Sequence, residues 1–159
     1  METLKLNQIG LEIEQTAQTA EKLNRLLGNY QIFYNNVRGL HWNIKGIEFF
    51  TLHDKFEELY NDTSIKIDEI AERVLMLGFT PVHTLSAYLE NQNLKEVKNI
   101  TGGKQAIQSV LEGLRELLIL QRDILESTNE TNDEGTNSLI GDHIRDSEAL
   151  VWMYSAALR

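Results

Sequence analysis

The chain is predicted to be all-α: four long helices in a bundle, with a short extra helix in the long crossover between helices 2 and 3. Three observations lead there. A single proline in 159 residues, with little β-branched alternation, leaves the helix as the main element. Four stretches carry apolar residues at steps of three and four. The segments between them are two short connections and one of roughly 23 residues, long enough to cross a bundle from end to end.

Leu23, Leu26, Leu27, Tyr30, Phe33, Tyr34, Val37 and Leu40 place the first helix at about Leu11 to His41. Asn43 to Gly46 is expected to be a turn. Phe49 to Leu77 contains neither proline nor glycine, and Leu52, Phe56, Leu59, Tyr60, Ile67, Ile70, Ala71 and Val74 mark one long amphipathic helix. Gly78 and then Pro81 end it. Val82 to Leu89 suits a short helix inside the crossover. A third long helix follows Thr101, with Ile107, Val110, Leu111, Leu114, Leu117, Leu118, Ile124 and Leu125 on one side. The polar run STNETNDEGTN is read as the loop that ends it. The last helix, from near Asn137, keeps Ile140, Ile144, Ala149, Leu150, Val151, Tyr154 and Leu158. Two short connections and one crossover between four helices describe the ferritin-like bundle. Residues 1–159 read as one such domain, without linker, repeat or low-complexity segment.

Composition narrows the chemistry. With 42% hydrophobic residues the chain can build a sizeable core. The absence of cysteine excludes thiolate metal sites, iron–sulfur clusters, disulfides and cysteine nucleophiles. Any metal must be held by nitrogen and oxygen, which suits iron, manganese or zinc; two imidazoles with carboxylates lean toward non-haem iron. No apolar run reaches membrane-spanning length, and METLKLNQIGLEIEQ has neither a basic start nor a hydrophobic signal segment. The expectation is a soluble, cytoplasmic protein. A formal charge of −9 favours attracting cations and disfavours phosphate backbones, although solubility alone accounts for part of it.

The stretch from Gly39 to Leu77 carries the chemistry. On a helical wheel of about 100° per residue, Glu57, Asp68 and Glu72 fall near 40°, 60° and 100° from His53, along one edge of the apolar stripe. They cannot share an ion within one chain, because His53 and Asp68 are roughly 22 Å apart along the axis at about 1.5 Å per residue. His53 and Glu72 are equidistant from a point between Asp62 and Thr63, and so are Glu57 and Asp68. Two antiparallel copies of the helix about a twofold axis there would set His53 opposite Glu72 and Glu57 opposite Asp68, building two identical sites. His41, just before a glycine-containing turn, can fold back beside His53. Glu-x-x-His, the pair that marks a di-iron site inside a single bundle, does not occur.

The run LHWNIKGIEFFTLHDKFEELY, followed by DEIAERVLMLG, resembles the Dps family, the dodecameric mini-ferritins. The similarity extends over about four fifths of the chain. It implies a ferroxidase centre between twofold-related subunits, with His41, His53, Asp68 and Glu72 at the family's ligand positions. Glu57 stands where the family usually has aspartate. Also implied are two irons per intersubunit site, oxidation of Fe²⁺ by hydrogen peroxide or oxygen, ferric mineral stored in a hollow twelve-subunit shell, and protection from oxidative stress. Trp42 would lie close to the centre and trap stray oxidising equivalents; packing at a helix end is its plainer reading. Zinc or manganese held by the same ligands without turnover is a further alternative.

Two features stand outside the metal site. Glu130, Asp133, Glu134, Asp142 and Asp146 form an acidic stretch around His143, and in similar proteins the start of the last helix lines pores through which ferrous ions enter. Glu134 is the best pore candidate, against a plain preference of acids for helix N-termini; Ser138, one turn on, stands where an acid would be expected. The competing function is a nucleoid-associated protein that protects DNA, with iron secondary. The first ten residues hold one base, Lys5, and no basic tail follows the last helix, so weak DNA binding is expected.

Overall fold

The computed structural model describes residues 5–90 and 92–159. Four long helices, α1 (Ile13–Asn43), α2 (Phe49–Met76), α4 (Gly103–Thr131) and α5 (Glu134–Ala156), form the bundle, and the short α3 (Leu85–Glu90) lies in the crossover between α2 and α4. The all-helical, ferritin-like fold expected from the sequence is the fold observed. α1 packs against α2, α4 and α3, while α5 packs against α4. The residues of the four stripes meet in one core, in which Leu23, Leu26, Phe56, Ile70, Val74, Leu117 and Ile140 are almost wholly buried. Two of the apolar residues expected on α5 depart from this: Ala149 is exposed, and Leu158 lies beyond the helix end.

Three asparagines on α1 hold the crossover, and backbone that makes no regular ladder finds its partners there. The Asn24 side chain accepts from Val82 N at 2.9 Å and donates to Thr80 O at 3.1 Å. Asn29, fully buried, accepts from the amides of Asn93 and Leu94 at 2.8 and 2.9 Å. Asn36 accepts from Val97 N and donates to Lys95 O. The connection therefore runs along α1 toward its C-terminus, as an end-to-end crossing requires. Lys45 N donates to Thr101 O at 2.9 Å, which ties the α1–α2 turn to the start of α4. Where α1 crosses α4, a Cβ at Gly113 would lie 2.6 Å from the Phe33 ring, so only glycine allows that approach.

The polar run near residue 130 is a correction. α4 continues through Ser127 to Thr131 and α5 begins at Glu134, ahead of the expected Asn137, leaving a two-residue corner. Ser127 and Thr128 donate to the carbonyls of Ile124 and Leu125, each at 3.0 Å. Hydroxyls that bond back to the preceding turn let a polar sequence remain helical. Asn132 takes a left-handed conformation, φ 55°, at the end of α4. Asp133 caps α5 by accepting from Thr136 N at 3.0 Å. Arg73, near the end of α2, fastens this corner by donating to Asp133 Oδ1 at 2.7 Å and to Thr136 Oγ1 at 2.9 Å.

Candidate metal centre

α1 runs two residues past His41, so this histidine sits inside the last helical turn, and Asn43, expected in the turn, is the last helical residue. His53 lies on the second turn of α2. The five residues between the helices, with Gly46 at φ +104°, reverse the chain and bring the two imidazoles face to face. Their ring centroids are 3.8 Å apart and their planes 21° from parallel. Phe49 stacks on the far side of His53 at 5.0 Å, and Tyr60 meets His41 edge-on at 5.3 Å. Residues 49, 53 and 60 fall on the face of α2 turned toward the end of α1. Tyr60 was legible as part of the α2 stripe; the enclosing role of Phe49 was not, although its i, i+4 spacing from His53 carries the signal.

The hydrogen bonds of the pair are reciprocal. His41 Nδ1 donates to the main-chain carbonyl of His53 at 2.8 Å, and His53 Nδ1 donates to that of His41 at 2.9 Å. A carbonyl oxygen only accepts, so the proton of each neutral ring is on Nδ1 and the lone pair is on Nε2. Orientation of an imidazole through its second nitrogen is what metal-binding histidines require. His41 is buried, at 7% exposure, and His53 is half-buried.

The carboxylates are placed differently. Glu57, Asp68 and Glu72 are exposed on α2, and among the described residues none of them forms an ion pair. Among those residues, no three histidine or acidic side chains of one chain gather closely enough to hold a metal ion. The structure thus brings His41 and His53 together and leaves the three acids facing outward. Trp42 is 65% exposed, with the Arg38 guanidinium 4.9 Å over its ring; Arg38 also covers Tyr34 at 5.1 Å.

The acidic stretch around His143 divides. Glu130 and Glu134 are exposed, Glu134 in the first turn of α5. Asp133 is buried at 1% exposure and bound to Arg73, Asp146 pairs with Lys66 at 3.2 Å, and Asp142 pairs with Arg145 at 3.0 Å. His143 is a core residue and does not face solvent.

Comparison with known proteins identifies the family. The model of the ferritin-like domain family matches residues 20–159. A crystal structure of the Dps protein from Vibrio cholerae O1 superposes with a TM-score of 0.96 at 49% identity, each chain covered completely. A DNA protection during starvation protein from Porphyromonas gingivalis is 39% identical over 92% of either chain. The chain belongs to the Dps family. Another relative, an uncharacterised protein from Haemophilus influenzae, is 50% identical over 94% of this chain and 93% of its own. The Vibrio cholerae Dps protein is described as one of a broad superfamily of ferritin-like diiron-carboxylate proteins. In this Dps chain no helix among the described residues is long and apolar enough to cross a membrane.

Proposed function

We propose that this Dps protein is a ferroxidase and iron store, which oxidises Fe²⁺ with hydrogen peroxide, or with oxygen, at sites shared between two antiparallel copies of α2. The observation that carries the reading is the reciprocal clamp of His41 and His53. It commits both Nδ1 atoms to carbonyls and leaves two Nε2 lone pairs side by side. Glu57, Asp68 and Glu72, exposed on α2 and forming no ion pair among the described residues, supply the oxygen half. One chain offers two nitrogens without enough acids beside them, and the twofold pairing of His53 with Glu72 and of Glu57 with Asp68 completes the set. Neutral imidazoles with carboxylates suit ferrous iron and leave coordination positions for an oxidant.

Two Fe²⁺ ions, the substrate, give one electron each to one hydrogen peroxide. Its O–O bond breaks, two protons are taken up, and two waters and two Fe³⁺ result. Matching two irons to a two-electron oxidant keeps hydroxyl radical from being released, which is how storage also protects the cell. Phe49 and Tyr60 shield the imidazoles from bulk water on the protein side, and Trp42 stands by as a trap for one-electron leakage. The ferric product collects inside a hollow shell of twelve subunits built from these dimers. Anaerobic loading with Fe²⁺, then peroxide, with ferric absorbance followed and iron counted per shell, tests this. Rapid oxidation of two irons per site is the expected result, and a shell that neither binds nor oxidises iron contradicts it.

A further inference from the structure

A second polar cluster, away from the imidazole pair, runs from the bundle core, where Tyr30, Lys66, Gln121 and His143 are buried, to the surface, where Glu69 and Asp146 are exposed. α1 contributes Tyr30, α4 contributes Gln121, α2 contributes Lys66 and Glu69, and α5 contributes His143 and Asp146. Tyr30 and His143 are 2% exposed and Gln121 is fully buried. Gln121 Nε2 donates to Tyr30 Oη at 2.7 Å, and His143 meets the Tyr30 ring edge-on at 6.3 Å. Lys66 donates to Asp62 at 2.9 Å and to Asp146 at 3.2 Å.

His143 Nε2 lies 2.8 Å from Glu69 Oε2. The carboxylate accepts, so Nε2 carries the proton of the neutral ring. Among the described residues the other ring nitrogen, Nδ1, is buried without a partner, as is Gln121 Oε1. In the neutral ring that Nδ1 is an unused lone pair, a modest cost. Once protonated it is a second N–H with no acceptor, on a cation inside the core, and a buried donor left unmade is expensive.

We propose that His143 is an acid-sensitive latch between α5 and α2: as the neutral ring it fastens the two helices through Glu69, and as the cation it loosens the packing around it. The groups that face it are accounted for. From α2, the Glu69 carboxylate favours the proton and the Lys66 ammonium opposes it; from α5, Asp146 favours it. Tyr30 of α1 and Gln121 of α4 are uncharged. Burial is the largest influence and, helped by Lys66, holds His143 below the usual imidazole range. As pH falls below about 6.5 the unfolded chain takes up a proton at this residue that the folded chain declines, so stability present at neutral pH is lost in acid. Glu69 lies on the same turn of α2 as Asp68 and Glu72, so loosening here reaches the register of the acids. The latch itself does not depend on metal chemistry.

The test uses metal-free protein at one concentration and reads the urea midpoint from about pH 7.5 to about pH 4.5. His143→Gln keeps a neutral amide donor toward Glu69 and cannot charge. Its midpoint should lose distinctly less in acid than that of the wild type. Glu69→Gln, at a half-exposed position, removes the main charge favouring the proton and should make the acid loss larger. Acid profiles of wild type and His143→Gln that run parallel overturn the latch. If His143→Gln does not fold, an acid profile of Glu69→Gln identical to the wild type overturns it.

Discussion

The imidazoles of His41 and His53 stack at 3.8 Å, and each ring is held by the other residue's main-chain carbonyl. Neither ring is oriented independently. Replacing one with alanine removes a proposed ligand, frees a carbonyl, and takes away the face against which the other ring rests.

His41→Ala and His53→Ala should therefore each lower the rate of Fe²⁺ oxidation by about 10- to 100-fold, the range typical when the support of a metal ligand is lost. The double variant should be little worse than either single, because groups acting as one unit are not additive. Initial rates of ferric absorbance on folded protein measure this; multiplying effects would show two independent ligands.

Arg73 and Asp133 tie the end of α2 to the α4–α5 corner at 2.7 Å, with side chains 14% and 1% exposed. Arg73→Met leaves a buried carboxylate without its cation, and loss of one partner of such a pair costs about 3–5 kcal/mol. Urea unfolding should show a loss of that order. A loss under about 1 kcal/mol would place Asp133 in water, in the regime of exposed pairs.

The alkaline limb of stability has a defined origin. Burial raises the Tyr30 hydroxyl, and burial with Glu58 nearby pushes Tyr154 up to about 12. For Lys66 burial opposes the charge, but Asp62 and Asp146 outweigh it and hold the ammonium above its ordinary range. All three keep their protons in the fold at a pH where the unfolded chain has begun to lose them. Their contribution is complete below about pH 10 and declines as pH rises beyond it. Tyrosinate absorbance of Tyr30 and Tyr154 should thus appear together with loss of helical circular dichroism, and Tyr30→Phe should remove part of that signal. Ionisation of Tyr30 well before unfolding would contradict its burial.

Much of this was legible in the sequence, for reasons that differ by residue. The stripes of α2 and α4 follow from local periodicity, so both helices are found where Leu52, Phe56, Ile70, Ile107 and Leu117 place them. The run at Ser127 to Thr131 was misread as loop because composition does not reveal that its hydroxyls bond back to the preceding turn. His41 and His53 were legible as a pair from a turn of suitable length. Their exchange of carbonyl bonds was not, since it depends on the closeness of two helix backbones. Asp133 and His143 looked like members of an acidic surface. Their partners, Arg73 and Glu69, are 60 and 74 residues away, and pairings at such separations leave no local pattern.

In the proposed assembly each site draws on two chains. His53→Ala and Asp68→Ala subunits, each expected to be strongly impaired alone, should be unfolded together, reassembled and assayed for peroxide-driven Fe²⁺ oxidation. In every mixed pair one site lacks both residues and the other keeps both, so random pairing predicts recovery of about a quarter of wild-type sites. Activity of the mixture no greater than the average of the separate variants would contradict the claim and assign the ligands to one chain.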